Sequence, residues 1–133
     1  MRRISIALSA ALVLVATVFT APTAMASGEF SVWNYQNGAR CDFYGNAPSL
    51  GQCTNTNYLY HNNGNPCSGC DHIKLYWGRD YTGAYRCIPP GEIAGEYAQP
   101  GLTFNRVGEK SGSSGLNQTI WRNAASAKWS GPC

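Results

Sequence analysis

The stretch "LYWGRDYTGAYRC", residues 75–87, decides how this chain is read. A run of alternating apolar character from Lys74 to Trp77 leads into Gly78-Arg79-Asp80, and a second from Ala84 to Cys87 leads out again. Two such runs around a short turn predict a β-hairpin. In it Tyr81 folds over the turn and Tyr76 stacks beside it. Gly83 supplies a backbone angle that a Cβ would forbid, so replacing Gly83 by Val is expected to damage folding rather than a binding surface.

The same grammar holds on either side. From Ser27 onward apolar residues never recur at helical spacing for three turns, whereas short runs rich in Tyr, Trp, Phe, Val and Ile alternate with Asn, Gly, Pro and Ser. Strands are expected at "EFSVWNY" (29–35), "NYLYH" (57–61), "HIKLYW" (72–77), "AYRCI" (84–88), "LTFNRV" (102–107), "QTIWRN" (118–123) and "SAKW" (126–129). Turn-formers separate them at "HNNGNP", "IPPGE" and "EKSGSSG". The class is all-β, a sandwich or Greek-key barrel. A loose echo pairs Tyr44, Gly51 and Cys53 with Tyr76, Gly83 and Cys87, the hint of a duplicated unit.

Upstream, Met1 to Ala26 reads as a signal peptide, with Arg2 and Arg3, an apolar run from Ile4 to about Thr20 and the small-residue site Ala24-Met25-Ala26. Residues 27–133 then form one secreted domain. All six cysteines, Cys41, Cys53, Cys67, Cys70, Cys87 and Cys133, lie in it. Export to an oxidising space makes them candidates for up to three disulfides, in any of fifteen pairings. Without Arg2 and Arg3 the net charge falls from +3 to +1. No basic run survives to bind nucleic acid or an anionic membrane, and a monomer is expected.

The run "CSGCDHIKLYWGRDYTGAYRCI" and the closing "WRNAASAKW" resemble the secreted bacterial Streptomyces-type metalloproteinase inhibitor family, whose fold is βγ-crystallin-like. The resemblance covers about residues 67–129 and leaves 28–66 unmatched. It implies a small disulfide-stabilised βγ-crystallin-like Greek-key sandwich, crystallin-like from about 67 to 133. Its signature hairpin has an aromatic, a second aromatic five residues on and a glycine two further, which Tyr76, Tyr81 and Gly83 match. A later serine binds the folded hairpin, and Ser126 is the candidate. The family further implies restraint of an extracellular protease.

Catalytic and metal chemistry is poorly supplied. Crystallin-type calcium sites need oxygen ligands in a stretch here reading "RNAASA", where Asn123 and Ser126 fit but Arg122 and Ala127 do not. A cation at the first position repels calcium. Cys67-Ser68-Gly69-Cys70 has redox or zinc spacing, with His61 and His72 near, but a loop between Pro66 and Asp71 in an exported chain favours structural disulfides. Glu92 and Glu96 are four apart, yet Gly91, Gly95, Pro89 and Pro90 oppose a helix that would give them one face, so solvated loop carboxylates are expected. The serines of "SGSSGLN" read as a flexible loop without an oriented histidine base. No enzyme, metal or cofactor is expected.

Binding is therefore the favoured activity, as a proteinase-inhibitor-like protein presenting an extended, rigid loop. The candidate inhibitory loop is Cys87, Ile88, Pro89, Pro90, Gly91 and Glu92, with the Asn- and Gly-rich segment before Cys67 as another. A secreted polysaccharide or cell-wall binding module, stacking sugars on exposed Trp33, Trp77, Trp121 and Trp129, is the alternative, and a toxin-like crystallin-fold protein a third.

Overall fold

A computed structural model describes residues 28–133; the signal peptide expected over residues 1–26 lies outside the described residues. Among the described residues seven strands form two antiparallel sheets. The first is ordered β2 (Arg40–Phe43), β1 (Gly28–Asn34), β3 (Asn57–Gly64), β6 (Ile93–Gly95). The second is β5 (Tyr85–Ile88), β4 (His72–Tyr76), β7 (Ser126–Ser130). Among the described residues no helix is long and apolar enough to cross a membrane.

The two halves of the chain exchange short segments. β6 follows β5 in sequence but pairs with β3 in the other sheet, Leu59 opposite Gly95 and His61 opposite Ile93. Reciprocally Ala47, which lies between β2 and β3, bridges Ala127 of β7, with both backbone bonds made at 2.8 and 2.9 Å. Each sheet thus holds a hairpin and a returning strand from one half plus a short piece of the other.

Strand alternation explains the core. Phe30, Val32 and Tyr60 of one sheet meet Ile73, Leu75, Ile88 and Trp129 of the other, all but removed from solvent. Tyr60 lies against Phe30 and stacks on Trp121, so aromatics fill space that a domain poor in Leu and Met leaves open.

Two expected strands are absent. Residues 102–107 and 118–123 meet only through an isolated bridge, Thr103 to Thr119, with Phe104 N–H donating to Gln118 O and Ile120 N–H to Leu102 O. Asn117 (φ 65°) and Arg122 (φ 62°) bend the chain out of extended geometry. The apolar alternation there reports burial of Phe104, Ile120 and Trp121, not ladder pairing. Conversely β2 and β6, too short or too polar to announce themselves, are strands.

The cysteines pair as Cys41–Cys53, Cys67–Cys70 and Cys87–Cys133. Three disulfides in a chain of this size fit an oxidising, extracytoplasmic setting. The echo between Tyr44 and Tyr76 has no structural counterpart. Tyr44 lies beyond β2, largely exposed, its hydroxyl donating to Glu29, while Gly51 opens a short 3-10 turn.

Candidate functional site

At the β4–β5 hairpin Tyr76 stands opposite Tyr85. Arg79 to Tyr81 make one tight turn, with Asp80 (φ 53°) and Tyr81 (φ 62°) both left-handed. Tyr81 swings back so that its ring meets Tyr76 edge-on, with centroids 5.9 Å apart. Gly83 has φ 76°, and a Cβ there would lie 2.8 Å from the Ser114 carbonyl oxygen and 3.1 Å from the Trp77 ring. The folded turn is clasped from the other side. Ser126, fully buried at the start of β7, accepts a hydrogen bond from Tyr81 N–H (3.1 Å) and donates one to Gly78 O (2.6 Å). The structure thus brings Tyr76, Tyr81, Gly83 and Ser126 into one cluster spanning fifty residues of chain. Burial among these groups pushes the Tyr76 hydroxyl up to about 12.

Of the segment Cys87 to Glu92, Cys87 and Ile88 complete strand β5, and residues 89–92 leave extended geometry. Glu92 N–H donates to Pro89 O (3.3 Å) and Gly91 takes φ 79°, which closes a turn between β5 and β6. A residue that sequence reasoning passed over holds this turn. Asn62, fully buried near the end of β3, donates from Nδ2 to both Ile88 O (3.0 Å) and Asp71 O (2.9 Å). Its Oδ1 accepts from Gly64 N–H, its backbone N–H donates to Glu92 O, and its carbonyl accepts from Gly91 N–H. The Tyr60 hydroxyl donates to the Glu92 carboxylate from the core, and burial beside that charge raises the tyrosine well above its ordinary value. Glu92 is therefore anchored rather than freely solvated, and Glu96 is turned away toward Arg122 (3.2 Å).

Asn62 also ties this turn to the loop before β4. That loop exposes Asn65, Pro66, Ser68 and Gly69, and is closed by Cys67–Cys70. Asp71 holds it from below, its Oδ2 accepting from Cys67 N–H and its Oδ1 lying 2.7 Å from His72 Nδ1. The imidazole first, then the amide, hold the Asp71 carboxyl below the usual carboxylate range. Cys87–Cys133 braces the other flank. The two loops form one face around a single buried side chain, with Pro89, Gly91 and Ile93 exposed on the β5–β6 side.

His72 has in Asp71 a partner that the sequence did not announce. It stands opposite Ser130 in the β4–β7 register, but the Ser130 hydroxyl donates to Gly131 O, so no nucleophile and base are joined there. Asn123 Nδ2 is engaged with Thr119 O and the Ser126 hydroxyl is spent on the hairpin. Among the described residues no three His, Cys, Asp or Glu side chains cluster as a metal site would require.

The four tryptophans do not form a platform. Trp121 and Trp129 are buried, and Trp33 is half-buried beneath the Arg40 guanidinium. Trp77 alone is exposed by a third, and Gln118 Oε1 accepts from its indole N–H at 3.0 Å. The "SGSSGLN" segment is likewise no loose loop. Leu116 packs on the core, and a Cβ on Gly115 would lie 2.2 Å from the Trp77 ring. Comparison of the chain with protein-family models, with curated proteins and with solved structures returns no match.

Proposed function

We propose that this is an extracellular proteinase-inhibitor-like protein on a crystallin-type Greek key, directed at a metalloprotease. The Greek-key reading draws support from the clasped hairpin of Tyr76, Tyr81, Gly83 and Ser126 and from the reciprocal exchange of Ala47 and β6 between sheets. The inhibitor reading rests on one observation, the fixing of two exposed loops by buried Asn62.

Rigidity of this kind lowers the ordering cost of association, which otherwise consumes much of the contact energy. It also opposes cleavage. The carbonyls of Ile88 and Glu92 already accept hydrogen bonds from Asn62, and that of Pro89 from Glu92 N–H within the turn, so a protease that polarises one of them must first break that bond. Because the segment is a closed turn, contact is made by its apex and by residues 65–69 together, not by strand insertion. Enzymatic activity is not part of this reading.

Oxidised protein from Ser27 to Cys133, titrated into a thermolysin-like metalloprotease with a subtilisin-like serine protease alongside, tests it. Stoichiometric loss of metalloprotease activity is expected. Full activity of both proteases while the protein stays intact would overturn the reading.

A further inference from the structure

A second feature lies beside the hairpin turn, where Gly78 and Arg79 meet residues that precede β3 and β7. A cleft of about 340 Å³ is walled by Trp77, Arg79, Arg122, Asn123 and Asn55, at the lower end of small-ligand clefts. Arg79 and Arg122 are among the residues that line it and no Asp or Glu is, in a chain whose residues 27–133 carry a net charge of only +1.

The walls are built in advance. Trp77 is pinned by Gln118 and by two glycines that leave no room for a Cβ, Gly83 and Gly115. Arg122 is stacked on the Tyr35 ring at 3.9 Å and paired through Nε with Glu96, which fixes the fork in place. Arg79 makes no ion pair among the described residues. The floor is equally rigid. Asn55 N–H donates to Ala124 O, Arg122 N–H to Asn57 O, and Ala124 N–H to Asn57 Oδ1, locking the segment before β3 to the segment before β7.

Backbone strain collects here. Of the six non-glycine residues with positive φ among the described residues, Asn55 and Arg122 line the cleft and Asp80 and Tyr81 follow directly on Arg79. Such conformations cost on the order of 1–3 kcal/mol each and persist where the surroundings over-determine them, commonly at ligand sites.

We infer that this cleft binds an acidic saccharide, a sugar chain carrying uronic-acid carboxylates. Trp77 supplies an apolar wall for a pyranose, and the Asn55 amide together with Asn123 Oδ1, whose Nδ2 is held by Thr119 O, matches its hydroxyl groups. Arg79 and Arg122 take the carboxylate through charge-assisted bonds. None of the lining residues lies on a strand, so an extended peptide would find no backbone ladder to join. The site is separate from the Asn62 loop face, and the two readings stand or fall independently.

The test is a titration of the oxidised protein with a galacturonic acid oligomer, followed by calorimetry and by the NMR shift of the Trp77 indole N–H. A neutral galactose oligomer of equal length and an acidic peptide with a free C-terminus run in parallel. The galacturonate is expected to bind and move the Trp77 resonance, with the neutral oligomer weaker by about tenfold or more, the worth of one charge-assisted pair. Arg79→Ala should lose binding to a similar extent, with Arg79→Lys recovering part of it. Arg79 is exposed, so both variants should fold. No response to galacturonate, equal binding of the neutral oligomer, preferential binding of the peptide, or an Arg79→Ala variant that binds normally would each overturn the proposal.

Discussion

Gly83 and Gly38 separate two costs that a glycine can hide. Both are left-handed, at φ 76° and 69°, but a Cβ on Gly38 meets nothing within 4 Å whereas one on Gly83 meets the Ser114 carbonyl at 2.8 Å and the Trp77 ring at 3.1 Å. Gly38→Ala should therefore cost only the left-handed penalty, about 1–2 kcal/mol, less the few tenths regained by stiffening the unfolded chain. Gly83→Ala carries the same terms plus overpacking of roughly 1–3 kcal/mol, because Ser114 O is committed to Ala84 N–H and Trp77 to Gln118. Unfolded-state effects cancel in the comparison, so the difference reads the close approach alone. Urea unfolding of the two oxidised variants, followed by circular dichroism, should place the Gly83→Ala midpoint lower by roughly 1–2 M for a slope typical of a small domain. A Gly83→Ala variant as stable as Gly38→Ala would refute the packing argument and with it the role assigned to this glycine.

Ser126→Ala should destabilise by roughly 1–3 kcal/mol, since it leaves Tyr81 N–H and Gly78 O without partners. Faster hydrogen exchange at the Tyr81 amide would localise the effect. Replacing Cys87 and Cys133 by serine opens a link spanning 46 residues and should cost about 4 kcal/mol on the loop-entropy account, whereas opening Cys67–Cys70, three residues apart, should cost about 1.6 kcal/mol. Thermal melts of the two pairs of variants would rank them. In acid, Glu29, held low first by the Ser31 hydroxyl and then by Tyr44, and Asp71, held low first by His72, bind protons less readily folded than unfolded. Their stabilisation is complete above the unfolded carboxylate range near 4 and lost as pH falls through their lowered values, which urea midpoints measured downward from neutral pH would trace. At the alkaline end the sign reverses. The raised Tyr76 hydroxyl stabilises fully below about 10 and loses that contribution as pH climbs toward about 12, so unfolding and the tyrosinate absorbance should rise together there.

What could be read from the chain itself is what neighbouring residues dictate to one another. The all-β class follows from short aromatic runs cut by Asn, Gly and Pro, and the turn around Tyr81 and Gly83 from residues seven apart whose backbone angles and ring contacts are local matters. The presence of disulfides follows from an even count of cysteines, but their pairing depends on which of fifteen approaches folding permits, and folding selected Cys41–Cys53, Cys67–Cys70 and Cys87–Cys133. Residues 102–107 and 118–123 imitated strands because alternation records burial, and a loop buried against two sheets alternates as a strand does. Asn62 was invisible because an asparagine near Gly64 and Pro66 reads as turn chemistry, whereas its side chain serves a carbonyl 26 residues away. The tryptophans, alike in sequence, diverged into two buried core members, one shielded ring and one cleft wall. Only the tertiary structure decides such matters, because a side chain's exposure and partners are set by contacts distant in sequence, where the summed packing of the whole domain outweighs the preference of any one residue.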